Sequence, residues 1–275
     1  TRTPGMSHDL AATKAPSPSP KRTNNTMLAI QQTSSDNIPL IYLQPENNDR
    51  GKLVIWLTGF SGSKESCRAH LKALATLGYT ALSFDPWQHG ERMLADVDEL
   101  RARVRGNIRR YFWPILAETA REVPRIIDWG LAQFSVDEQV GIGGISMGGD
   151  ISVAAAGIDR RIALAMPWIA TPDWLRPGTN EPVGEADADA QAYYDEFNPL
   201  THLDRYTHCP HISFQNGAED EQVPPDGSLR FRDALRQSHY RDCPERIDAI
   251  LHPDITHQTC DAMWQNTERL LLEYL

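Results

Sequence analysis

The decapeptide GIGGISMGGD (141–150) sets five glycines around Ser146, and no other stretch restricts the fold as sharply. The run before it, QVGIGGIS (139–146), reads as a strand, and MGGDISVAAAG after it reads as a helix, so the pattern is G-x-S-x-G at a strand-to-helix junction. A turn that tight strains the serine backbone and drives the side chains two positions to either side into collision. Glycine at 144 and 148 removes that collision. The helix start beside the hydroxyl offers amides that have no partner inside the helix. The plainer alternative is a glycine turn dictated by packing alone.

Such a junction needs a sheet around it, and the flanking sequence supplies one. MLAIQQT and IPLIYLQP, separated by SSDN, read as an antiparallel pair. KLVIWLTG (52–59) is a continuous apolar run, as expected of a strand covered on both faces. KESCRAHLKALATLG reads as a helix closed by Gly78, and YTALSFDP (79–86) as the next strand. PILAETAREVPRIIDWGLAQF (114–134) is helical, with Pro114 suited to its first turn and Pro124 expected to kink it. RIALAMPWIA (161–170), CPHISFQNG (209–217) and ERIDAILHP (245–253) are further strands, with helical GSLRFRDALRQS between the last two and a final helix carrying CDAMWQNTERLLLEYL. Alternating strands and helices predict an α/β fold: a single domain over 27–275 with a mostly parallel sheet of about eight strands flanked by helices.

Three regions stand outside that alternation. Residues 1–26 are rich in Pro, Ser and Thr and lack the apolar core of a secretory signal, which predicts a flexible tail. Segments 87–113 and 171–205 are longer than ordinary connections, and the second is a possible cap. The net charge of −10 argues against a nucleic-acid partner. The longest apolar runs fall short of eighteen residues, so no membrane span is expected. Cys67, Cys209, Cys243 and Cys260 lack CxxC spacing, which points to free thiols in a reducing, cytoplasmic setting. The partner expected is a small molecule, with a homodimer possible.

A reactive serine needs a base and the base an orienting acid, both from loops at the carboxyl ends of later strands, in the chain order Ser, acid, His. After HISFQNG comes AEDEQVPPDG, where Asp220 sits at the strand mouth and Glu219, Glu221 and Asp226 compete with it. After RIDAILHP comes DITHQTC, where His257 lies in the loop and His252 at the strand end. A metal reading of His252, His257 and Cys260 lacks recognised ligand spacing, so no metal is expected. An oxyanion hole needs two convergent amides. Met147, directly after the serine, supplies one, and Phe60 in LTGFSGSKE is the best second, with Gly59 and Gly62 allowing close approach.

Residues around a substrate are harder to read. Trp87, His89, Trp168, Trp174, Tyr193 and Tyr194 are the pocket candidates. The aromatics of 171–205, Phe197 included, serve equally as walls for an apolar substrate or as the core of a small cap. EADADA in that segment is expected to face solvent. RARVRGNIRRYFWP sets Arg101, Arg105 and Arg109 at i, i+4 spacing. That face suits an anionic substrate or partner, although a surface balanced by Asp96, Asp98 and Glu99 is the favoured reading.

Taken together, the oxyanion loop LTGFSGSKES, YTALSFDPWQHGER, GISMGG, NPLTHLDRYTHCPHISFQNGAEDEQVPP and HPDITHQ resemble the α/β-hydrolase superfamily. Within it the chain is most similar to the dienelactone-hydrolase and prolyl-oligopeptidase-like esterases of bacteria. The resemblance implies an α/β-hydrolase fold with a small cap insertion, and hydrolysis through Ser146, His257 and Asp220 with neither metal nor organic cofactor. It further implies that Asp85, His89 and Arg92 of the HGER loop support the site. Thr58 departs from the pattern, since many relatives carry His-Gly there. The expected activity is cleavage of a small or medium ester by way of an acyl-enzyme. An acyltransferase, a thioesterase or a C–C bond hydrolase would use the same residues, and a binding protein would keep the pocket without turnover.

Overall fold

In the computed structural model, which describes Thr1 and residues 29–275, the apolar runs assemble into one eight-stranded sheet. The predicted tail (1–26), apart from Thr1, and the start of the first predicted strand at Met27 lie outside the described residues. The strands are β1 (Gln31–Ser35), β2 (Ile38–Leu43), β3 (Leu53–Leu57), β4 (Thr80–Phe84), β5 (Val140–Ile145), β6 (Ile162–Trp168), β7 (His211–Gly217) and β8 (Ile247–His252), in spatial order β1-β2-β4-β3-β5-β6-β7-β8. β2 runs antiparallel to both β1 and β4, and every other pairing is parallel, so the sheet is mixed with a parallel majority. The β1–β2 hairpin turns at Asp36 and Asn37, whose φ values of 47° and 63° match the twist such two-residue turns require.

Among the described residues seven α-helices flank the sheet: α1 (Arg68–Thr76), α2 (Val97–Gly106), α3 (Ile108–Gln133), α4 (Met147–Ile158), α5 (Ala188–Phe197), α6 (Asp226–Gln237) and α7 (Asp261–Tyr274). Side chains alternate across a strand, and β3 displays the consequence. Leu53, Ile55 and Leu57 enter the core beneath α3 and α4, while Val54 and Trp56 enter the opposite core beneath α1 and α7. The central strands are therefore covered on both faces, which is why they read as unbroken apolar runs. Cys67 belongs to the second core, where burial pushes its thiol up to about 12 and leaves it inert. All four cysteines are free thiols. Among the described residues no helix is long and apolar enough to cross a membrane.

The structure corrects the sequence reading around the arginine-rich run. The helix expected from Pro114 begins at Ile108, because the Asn107 side chain caps it by accepting from Arg110 N at 3.0 Å. It continues as a single element through both prolines to Gln133, with Pro114 well beyond the first turn. Packing of its long apolar face outweighs the backbone bond each proline forfeits. The run itself is broken at Gly106 and Asn107, leaving Arg101 and Arg105 on α2 and Arg109 in the first turn of α3. The segment 171–205 also divides. Residues 171–187 cross the top of the molecule as an irregular strap, and α5 then lies against α3, where the ring of Tyr194 meets that of Trp113 at 4.6 Å.

Candidate active site

Ser146 stands between β5 and α4 with φ 53° and ψ −113°, a left-handed conformation that a side-chain-bearing residue holds only under constraint. The constraint is visible on either side. A Cβ at Gly144 would lie 2.7 Å from Leu57 O, and one at Gly148 would lie 2.5 Å from Leu57 O and 2.7 Å from Thr58 O. The elbow is thus wedged against the backbone at the end of β3, and its amide donates to Trp168 O at 2.8 Å. Replacing Gly148 by alanine is expected to cost about 1–3 kcal/mol, because the obstacle is main chain and cannot rotate away. A urea-denaturation midpoint indistinguishable from that of the parent protein would contradict this.

Two later loops arrive at the serine. His257, from the loop between β8 and α7, places Nε2 3.0 Å from Ser146 Oγ and Nδ1 2.7 Å from Asp220 Oδ2. The second oxygen of Asp220 accepts from the amides of Gln222 and Val223 at 3.0 and 2.8 Å, and the carboxylate is fully buried. Those two amides fix its rotamer before the histidine is considered. The rival acids behave differently: Glu219 and Glu221 are exposed, and Asp226 pairs with Arg230 in the first turn of α6. His252 is buried at the end of β8 with Nε2 3.2 Å from Gln215 Oε1, and burial holds its pKa below the ordinary imidazole value.

The loop after β3 lies beside the elbow. An ideal Cβ on Gly59 would fall 3.9 Å from Ser146 Cβ, so the backbone entering Phe60 runs next to the nucleophile. Among the described residues Phe60 N–H has no backbone acceptor, and Met147 is the first residue of α4, where amides have no carbonyl four residues back. This loop is anchored from below. Asp85, fully buried at the end of β4, accepts from Lys64 N at 2.8 Å, Lys64 Nζ at 3.1 Å and Glu91 N at 2.9 Å. Burial disfavours the Lys64 ammonium, but Glu91 and Asp85 outweigh it and hold its pKa above the ordinary lysine value. Arg92 clamps its own loop, the one after β4 that carries Asp85, to α3 through two bonds to Glu122, at 2.6 and 2.7 Å, and lies over the ring of Trp87. His89 is buried with Nδ1 2.8 Å from Trp87 O, its ring set edge-on to Phe60 at 5.6 Å.

Ser146 opens into a cavity of about 280 Å³. Phe60, Val104, Ile108 and Phe112 form its apolar wall, and Arg105, Arg176, Asn180, Glu181 and Gln222 contribute polar groups. Most of the aromatic residues expected there lie elsewhere, which is a correction. Trp168 points into the opposite core, packed edge-on to Trp56 at 4.9 Å and donating to Thr267. Trp174 is fully buried against α3, its carbonyl accepting from Trp113 Nε1. Tyr193 is hydrogen-bonded to Glu118 with Arg121 over its ring, and Tyr194 faces Trp113, so both serve the α3–α5 contact. His89 stands edge-on to Phe60 and Trp87 lies against Arg92, and neither lines the cavity.

Three of its polar lining residues, Arg176, Asn180 and Glu181, come from the strap. Thr179 Oγ1 donates to Gln222 O and Asn180 N to Glu221 O, tying the strap to the Asp220 loop. At its other end Arg109 N donates to Val183 O and Asn107 Nδ2 to Glu185 O, tying it to the start of α3. Just before the first of these ties Arg176 reaches inward to Asp150, with Nη2 2.7 Å from Oδ2 and both side chains buried. A signal for that pair existed in the sequence. Asp150 is the one charged residue in the helix MGGDISVAAAG, and a buried carboxylate requires a cationic partner. Beyond His257 a wider cleft of about 720 Å³ is lined by Glu219, Glu221, Asn180 and Gln222.

A Bacillus subtilis (strain 168) protein named "Putative esterase YitV" is 24% identical over 247 residues, covering 84% of this chain and 93% of that protein. Esterase YjfP of Escherichia coli (strain K12) is 25% identical over 257 residues, covering 82% and 97%. The structure of TT1662 from Thermus thermophilus superposes with a TM-score of 0.72 at 20% identity, covering 89% of this chain and 97% of that one, and establishes the α/β-hydrolase fold. The model of the prolyl oligopeptidase family matches residues 118–271, from the middle of α3 into α7 and more than half of the chain. The chain therefore belongs to the prolyl oligopeptidase family and is an esterase-like enzyme of the serine-hydrolase type.

Proposed function

We propose that this protein is a carboxylesterase that cleaves small or medium esters through an acyl-enzyme on Ser146. The observation that carries the reading is the continuous relay from Asp220 Oδ2 to His257 Nδ1 at 2.7 Å and from His257 Nε2 to Ser146 Oγ at 3.0 Å. Asp220, held by two amides, keeps Nδ1 protonated and leaves Nε2 free to accept. As Ser146 Oγ bonds to the ester carbonyl carbon, its proton passes to Nε2. The carbonyl oxygen gains the negative charge, and the amides of Phe60 and Met147 receive it, each such donor being worth about 3 kcal/mol. The imidazolium then protonates the departing alkoxide, and the C–O bond of the ester breaks. Water, deprotonated by the same nitrogen, attacks the acyl-enzyme and releases the carboxylic acid, returning the proton to Ser146. Asp85, Lys64 and Arg92 hold the oxyanion loop and make no contact with the reacting atoms.

The strained φ of Ser146 fits this role, since the elbow lifts Oγ clear of the backbone while the helix start lies directly below. A fluorophosphonate probe should label the intact protein and leave Ser146→Ala unlabelled. Labelling that survives the substitution would place the reactive hydroxyl elsewhere and remove the assignment.

A further inference from the structure

Resting on Ser146 as the nucleophile, we propose that the preferred ester carries a carboxylate at the far end of a short acyl chain, and that Arg105 binds it. The substrate class is a half-ester of a short dicarboxylic acid. Arg105 lies near the C-terminal end of α2 and lines the cavity that holds Ser146. The arginines around it are occupied. Arg101 pairs with Asp98 at 3.2 Å, Arg103 with Glu99 at 3.9 Å, Arg109 with Glu185 at 3.9 Å and Arg110 with Asp187 at 3.0 Å. Among the described residues Arg105 has no carboxylate within 4.0 Å, in a chain whose acidic residues outnumber its basic ones by 37 to 27. A guanidinium left free at the nucleophile's own cavity is a site for an anion.

The other charges in the cavity fix where that anion sits. Arg176 is committed to Asp150 at 2.7 Å and Glu181 at 3.5 Å, and it lies over the Phe112 ring at 5.0 Å. Arg176 is thus already paired with carboxylates, which leaves Arg105 as the lining cation without a carboxylate partner among the described residues. The apolar part of the lining that Ser146 and Arg105 share is built from Phe60, Val104, Ile108 and Phe112. That wall suits methylene groups, so the carbonyl carbon and the carboxylate are separated by a short hydrocarbon spacer. On the opposite side, where His257 protonates the departing alkoxide, the exposed Glu219 and Glu221 line the cleft. A negative charge on the leaving group meets repulsion there. The charge asymmetry across the reacting atoms therefore assigns the anion to the acyl part.

The test is a ratio of kcat/KM values for two esters of equal length, p-nitrophenyl hemiglutarate and p-nitrophenyl valerate. Arg105→Gln is expected to lower the hemiglutarate-to-valerate ratio about tenfold, carried mainly by KM, and Arg105→Glu to lower it further. In the parent protein the ratio should fall as salt is added. Arg101→Gln, which removes a paired guanidinium outside the cavity, should leave the ratio where it was. A ratio unchanged by Arg105→Gln while valerate is still hydrolysed overturns the inference and leaves the nucleophile intact. A preference for 4-acetoxybenzoate over phenyl acetate that depends on Arg105 overturns it too, by placing the anion on the leaving group. Failure of both p-nitrophenyl esters together with absence of fluorophosphonate labelling overturns the reading of Ser146 on which it stands.

Discussion

Asp220→Asn is expected to lower kcat for ester hydrolysis by about 10⁴-fold near neutral pH, with little change in stability or in KM. The size of the effect follows from which atoms surround the carboxylate. The amides of Gln222 and Val223 donate to one oxygen, so an asparagine orients its carbonyl oxygen there and turns its NH2 toward His257 Nδ1. That nitrogen must then accept, the ring proton moves to Nε2, and Nε2 can no longer take the proton of Ser146. The geometry survives and the tautomer is wrong. Steady-state kinetics on a p-nitrophenyl ester, with circular dichroism to verify folding, measure it. Retention of more than a tenth of the parental kcat would mean that Asp220 does not set the state of His257.

The second large effect is one of stability. Replacing Arg176 by methionine leaves Asp150 as a fully buried carboxylate without its cation, which is expected to cost about 3–5 kcal/mol. Burial already holds the Asp150 carboxyl above its ordinary value of 3.8, with Arg176 pulling it back, so removing Arg176 raises it further. The native state then binds the proton more tightly than the unfolded chain does. Stability in the variant therefore falls as pH rises above the unfolded value and continues to fall until the native pKa is passed. The deficit should be small near pH 4 and grow toward pH 8, as read from urea midpoints across that range. Adding Asp150→Asn in the same chain should recover most of it. A deficit independent of pH would show that lost packing, not the stranded charge, is responsible.

These two predictions differ in how far the sequence foresaw the residues involved. Asp220 was named from chain order and from its place just past a strand, and Ser146 from the glycines that let a strand turn into a helix. Both follow local rules: a parallel sheet puts strand ends on one rim, and a loop there has few residues to offer. The same rules located β3 to β8, because strands buried on both faces are written as unbroken apolar runs. Arg176 and the paths of the strap residues were not foreseen, although Asp150 within an apolar helix asked for a partner. The helix boundary at Asn107 was missed because Pro114 looked like a natural first-turn residue, whereas the capping side chain seven residues earlier set the start.

The aromatic residues of 171–205 illustrate why the remainder escaped. Trp174, Tyr193 and Tyr194 are large and apolar wherever they lie, and nothing in their spacing separates a cavity wall from the contact between α3 and α5. Period and the glycine pattern by themselves point to an α/β sheet with a serine at a strand-to-helix turn, and chain order with strand-end position singles out a candidate histidine and acid. Only the tertiary structure decided what surrounds that serine. Whether a side chain faces the cavity, the core or solvent depends on how the strap and α2 cross the sheet, and those paths are fixed by contacts between residues far apart in the chain, such as Asn107 and Glu185, 78 positions apart. Arg105 is the clearest case: its spacing puts it on a charged helix face, and only the fold sets it on the lining of the nucleophile's cavity, with no carboxylate within 4.0 Å among the described residues.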